Sequence, residues 1–196
     1  KSGKELLKIS NGEVAPKSQL VNVSNPTNTT YKTEGYFAAA KDKAKGEVYI
    51  SPVMGWYVNR MDFEKGKRFG GVIRFAAPVF DKQGFAGVVA LALDYRQLAG
   101  FTDHVIPTQS GYVFEADAAT GNYAYMVDSR GFVISHPNDY HVAGLYPDGT
   151  AVPALSEKNA QEMTKKGEMV LNLRQLGFMD PQLPAIDKDA AATEDP

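Results

Sequence analysis

Gly71–Asp94 reads GVIRFAAPVFDKQGFAGVVALALD, and its punctuation decides the fold. Two apolar runs, Gly71–Phe80 and Phe85–Leu93, flank the polar loop Asp81-Lys82-Gln83-Gly84. Glycine accepts the positive φ a tight loop needs, and aspartate bonds the loop's own backbone, so the pattern predicts a β-hairpin. Period-2 alternation puts Arg74 with Val72 and Ala76 on one face and Ile73 with Phe75 on the other. The bulky face is expected to pack under a helix. Arg74 is then turned to a pocket, or to solvent with Glu47 or Glu64 as its partner.

The same grammar recurs further on. Tyr123–Val127, the loop Asp128-Ser129-Arg130-Gly131 and Phe132–Ser135 form a second D-x-x-G hairpin pattern. Lys1-Ser2-Gly3-Lys4 before Glu5–Ile9 reads as the back half of a third, and Glu47–Ser51 as a short strand. Helical spacing of Tyr36, Phe37, Ala40 and Ala44 predicts a helix over Glu34–Lys45, stopped by Gly46. Ser156–Lys166 reads as another, and Asp94 with Gln97 as the capping box of a short third. The sum is α+β: antiparallel sheets with flanking helices, without βαβ alternation.

Composition narrows the function. The chain of 196 residues carries 21 Lys+Arg against 23 Asp+Glu, a net of −2, which argues against a nucleic-acid binder. It has no cysteine, which removes thiol catalysis, disulfides, iron–sulfur clusters and zinc fingers. The longest apolar run, Phe85–Leu93, is nine residues, half of what a membrane-spanning helix needs (~18). Residues 180–196 carry a net of −4 and three prolines and read as a loop or frayed end. The chain opens KSGKELL without a signal peptide and is expected to be cut from something longer. Phosphate-loop, dinucleotide and nucleophile-elbow motifs are absent from the sequence.

Candidate chemistry is sparse. His136 and His141 stand in HPNDYH, where Pro137 breaks any helix that would align them on a metal, so a surface loop is expected and no metal or cofactor. Ser135 beside His136 is no triad, and Asp62/Glu64 and Asp187/Asp189 lie in charged segments, so an enzyme is not expected. Met54-Gly55-Trp56-Tyr57 holds the sole tryptophan and reads either as an aromatic flap over a small polar ligand or as core packed on the sheet. Asp94, ending an apolar strand, caps the helix after it, holds a ligand ammonium, or both.

In order, Tyr36-Phe37-Ala38-Ala39-Ala40, Val48-Tyr49-Ile50-Ser51-Pro52, Ile73–Asp81 and Gly84–Asp94 resemble the membrane-distal module of double Cache (PAS-like) sensor domains. Tyr125–Pro137 resembles the start of the membrane-proximal module. The resemblance implies an α+β PAS-like fold with a distal module over 1–104, lacking its N-terminal helix, and a truncated proximal module over 105–196. It implies the periplasmic or extracellular part of an inner-membrane receptor, homodimeric and membrane-anchored, of the methyl-accepting chemotaxis type. The alternative is a ligand-free dimerisation module of a histidine kinase or cyclase. The implied ligand is an amine, an amino acid or a short carboxylate. The residues expected at it are Tyr36, Tyr49, Ser51, Trp56, Tyr57, Arg74 and Asp94. Amino-acid-binding members carry an arginine near YFAAA; Glu34 stands there in this chain.

Overall fold

The computed structural model describes residues 1–111, 113, 116–156 and 168–177. The expected helix over Ser156–Lys166, the acidic tail and the Asp187/Asp189 pair lie essentially outside that range. The fold is α+β and PAS-like, built on one antiparallel sheet. Its first hairpin, β1 (Ile9–Ser10) and β2 (Glu13–Val14), turns on Asn11 and Gly12, both at positive φ (52° and 81°). This is the Asn-Gly signal of a tight hairpin. The third hairpin expected from Lys1–Lys4 is therefore misplaced: Lys4 bridges Asn22 instead.

Helix α1 (Tyr36–Lys41) is shorter than the predicted Glu34–Lys45, closing at Asp42. Then come β3 (Tyr49–Ile50), β4 (Met54–Gly55) and α2 (Arg60–Glu64), whose cap is Asn59 accepting from the Asp62 amide. The long hairpin β5 (Gly71–Asp81) and β6 (Gly84–Asp94) is as predicted, with a bulge at Val79/Phe80. In its loop the Asp81 carboxylate accepts from the Gln83 amide at 2.7 Å and Gly84 takes φ 104°. Helix α3 (Tyr95–Ala99) follows. The second D-x-x-G motif joins β7 (Met126–Val127) to β8 (Val133–Ser135), Asp128 accepting from the amides of Arg130 (2.9 Å) and Phe132 (3.0 Å). β9 (Ala154–Leu155) and β10 (Val170–Leu171) pair in parallel.

Hydrogen-bond direction fixes the sheet's wiring. Ser51 donates its amide to the Arg74 carbonyl, so even-numbered residues of β5 address β3 and β4, while odd ones address β6. Pro78 is even and lies beyond the end of β3, where its missing N–H breaks no ladder bond. The outward N–H and C=O groups of Val88, Ala90 and Ala92 leave β6 as an edge strand.

The expectation that a helix covers Ile73 and Phe75 is overturned. Helix α1 covers the opposite face, where Tyr36, Phe37 and Ala40 pack with Val23 on the fully buried Ala76. Small Ala76 lets the helix approach closely, which the bulky face does not allow. That other face carries Ile50, Val79, Val89 and Leu91, with Val89 60 % and Leu91 65 % exposed. A second core joins the two halves of the chain: Val58, Phe69, Tyr95 and Ala99 enclose Val142.

Candidate functional site

A cleft of about 160 Å³ opens between the start of α1 and the β3–β4 edge of the sheet. Thr33, Glu34, Gly35 and Tyr36 form one wall; Tyr49, Ser51, Pro52 and Met54 form the other, with Arg74 between them. Four of the seven residues expected at a ligand therefore share one cavity: Tyr36, Tyr49, Ser51 and Arg74. They come from α1, β3, the segment after it, and β5.

Arg74 pairs with neither Glu47 nor Glu64, the partners its sequence neighbourhood suggested. Its Nε donates to Glu34 Oε1 at 2.7 Å, and the Glu34 side chain is 2 % exposed against 18 % for Arg74. The second Glu34 oxygen accepts from the Tyr31 amide at 3.1 Å. The guanidinium lies 5.3 Å from the centroid of the Tyr36 ring, a cation–π distance. Below it the backbone is clamped: the Arg74 amide donates to Ser51 Oγ at 2.8 Å, and Ser51 Oγ donates to the Pro52 carbonyl at 2.8 Å. Burial pushes the Tyr36 phenol above its ordinary range; Arg74 opposes that shift and Glu34 adds to it. The cleft thus holds one fixed positive and one fixed negative group, in a half-enclosed polar floor with aromatic walls.

The other three expected residues sit elsewhere. Trp56 packs at a tilt against Tyr31, with centroids 5.2 Å apart, and bridges Leu145. Tyr57 meets Tyr146 edge-on at 6.5 Å. Asp94 caps α3, accepting from the Arg96 amide at 2.9 Å and from its guanidinium at 2.6 Å, with its side chain 44 % exposed. None of the three lines the cleft. Thr33, Glu34, Gly35, Pro52 and Met54 complete the lining, and nothing in the sequence spacing marks Glu34 above Glu47 or Glu64 as the partner of Arg74.

The HPNDYH segment departs from the surface loop expected of it. His136 is only 4 % exposed and packs among Tyr123 (4.9 Å) and His141 (4.8 Å), with Tyr140 4.4 Å beyond His141. Its Nδ1 accepts from the Asn138 amide at 2.8 Å, which leaves the proton of the neutral ring on Nε2. Burial, then the neighbouring His141, push His136 down to about 4. Asp139 accepts from the Phe69 amide at 2.6 Å and so ties this segment to the first half. The Ser135 hydroxyl is engaged with that of Thr102. Among the described residues no cluster of three or more His, Cys, Asp or Glu is placed to hold a metal ion, and no helix is long and apolar enough to cross a membrane.

No family model matches this chain, and no curated protein does. Among solved structures it is similar, at 15 % identity and a TM-score of 0.43, to the extracellular domain of a protein assigned as a histidine kinase. The match covers 72 % of this chain and 44 % of that one, so this chain spans less than half the length of that neighbour.

Proposed function

We propose that this chain is the extracytoplasmic sensing domain of a transmembrane signalling receptor, of the methyl-accepting chemotaxis type, and that its ligand is a small polar molecule held in the Tyr36–Arg74 cleft. The observation that carries this is the convergence of Tyr36, the Tyr49–Ser51 segment and Arg74, three stretches distant in sequence, on one cavity of about 160 Å³. Aromatic walls with a few fixed polar groups are the usual make-up of a small-molecule site.

The floor narrows the ligand class. Glu34 already neutralises Arg74, so a guest with a lone negative charge meets a buried carboxylate close to the guanidinium it seeks. At ~5 Å and an effective dielectric of ~20, that repulsion is about 3 kcal/mol. A guest that sets an ammonium against Glu34 while its carboxylate meets Arg74 offsets it. Of amines, amino acids and short carboxylates, a zwitterionic amino acid fits best, its carboxylate taken by the guanidinium nitrogens that Glu34 leaves unbonded.

A thermal-shift screen with those three classes tests the reading. A ligand at ~100 times its Kd stabilises by ~2.7 kcal/mol, which for a chain of this size raises Tm by roughly 5–10 °C. Arg74→Lys keeps the ion pair's charge but loses the planar fork, and is expected to weaken that response at least tenfold in concentration. A flat response across all three classes overturns the reading. The self-satisfied Glu34–Arg74 pair favours one other reading, a ligand-free module that works through partner contacts, and a flat screen is its expected result.

A further inference from the structure

The far side of the cleft wall is built into the second half of the chain. Pro52 and Met54 line the cleft with one face and, with the other, a second cavity of about 130 Å³ against Gly144, Leu145 and Val152. A wall with empty space on both sides can shift without displacing packed atoms, which a close-packed wall cannot do.

The chain that leaves that wall is clasped to one short hairpin. The Leu145 amide donates to the Gly55 carbonyl at 2.9 Å, and the Tyr57 amide donates to the Leu145 carbonyl at 2.8 Å. Gly144 permits this approach, because a Cβ there meets Tyr57 Cα at 2.8 Å. Leu145 in turn bridges Ala151 across a turn over Tyr146–Thr150. That turn reaches the opposite wall: Lys32 Nζ donates to the Pro147 carbonyl at 2.9 Å, and a Cβ on Gly149 would stand 3.3 Å from Thr33 Cγ2. The hairpin is therefore anchored to both walls of the cleft.

We infer that the Leu145–Ala151 hairpin reads the width of the cleft, so that filling the cleft is passed to the second half of the chain through Pro52–Tyr57 on one side and Lys32–Thr33 on the other. A guest that spreads the walls strains both anchorages together, and the hairpin exchanges one set of contacts for another. The inference rests on the cleft being the sensing site.

Its test needs no identified ligand. The chain has no cysteine, so Ser51→Cys or Tyr49→Cys gives a single thiol in the cleft. Benzyl methanethiosulfonate then attaches a benzylthio group there as a mixed disulfide, releasing methanesulfinate; the labelled side chain is larger than either side chain it replaces. Hydrogen exchange at the Tyr57 and Leu145 amides is compared before and after labelling, with the Ala15 amide, which donates to the Lys8 carbonyl at 2.8 Å beside the first hairpin, as reference. Coupling of ordinary size changes both amides by about fivefold or more from either cysteine, with Ala15 steady. Unchanged exchange at Leu145 in both labelled proteins overturns the inference. A response from Ser51→Cys alone also overturns it, since Ser51 adjoins Pro52 and pushes it directly. The covalent group fills the cleft whether or not any screened compound binds, so a failed screen and a failed coupling remain separate results. Should either variant not fold, Thr33→Cys on the opposite wall takes its place with the same label, and the same fivefold criterion decides.

Discussion

Glu34 and Arg74 are 40 residues apart in sequence, and their side chains meet at 2.7 Å in the floor of the cleft. The pair sits where the chain changes from the turn before α1 to the centre of β5, so it locks the helix onto the sheet and sets the charge of the site at the same time.

Removing one member leaves a buried charge uncompensated. Glu34→Ala or Arg74→Ala is expected to cost about 3–5 kcal/mol in denaturant unfolding. The double change Glu34→Leu with Arg74→Met replaces both charges by similar volume and is expected to lie within ~1–2 kcal/mol of the parent protein. A double variant as unstable as the singles would show that the pair's bonds to the Tyr31 backbone and Tyr36 ring matter more than its charges.

Acid is expected to loosen the junction at His136. Its folded-state pKa lies near 4, below the ordinary 6.5, so the unfolded chain takes up a proton first as pH falls. The stabilisation is complete above 6.5 and is lost as pH falls from there towards 4. His141 is depressed too, by burial and by Arg60, and adds in the same direction. Rings of Tyr123, Tyr125 and Tyr140 pack against the pair, Arg60 opposes the charge of His141, and Asp139 stands in the same turn. Thermal unfolding between those limits is expected to show a falling Tm, and His136→Phe to flatten that slope; an equal slope in the variant would assign it to other groups.

The two faces of the sheet are expected to answer substitution differently. Val89→Thr and Leu91→Thr, at positions 60 % and 65 % exposed, should each change stability by less than ~1 kcal/mol. Ala76→Leu, at a position with no exposure under α1, should cost about 1–3 kcal/mol or more by overpacking. Chemical denaturation midpoints at constant slope decide between this and a core on the bulky face.

Asp94→Ala removes the side-chain acceptor at the start of α3 and is expected to cost about 1 kcal/mol, the usual worth of such a cap. Because Asp94 lies outside the cleft lining, the thermal-shift response of the parent protein should survive the change. A lost response with the fold intact would return Asp94 to the ligand.

The sequence by itself determined the local structure. Both D-x-x-G hairpins, the cap at Asp94 and the α+β class follow from turn chemistry and alternation, which act within a few residues and need no distant partner. Asn11-Gly12 carries a turn signal of the same local kind. Only the tertiary structure decided which face of the sheet is covered, because alternation separates two faces without saying which one a helix will find; Ala76 settled that by leaving room. It alone decided that Arg74 takes Glu34, that Trp56 turns to Tyr31 and Leu145 rather than over the cleft, and that His136 is buried. Each of these is a meeting of segments tens of residues apart, set by how the elements pack rather than by the spacing within any one of them.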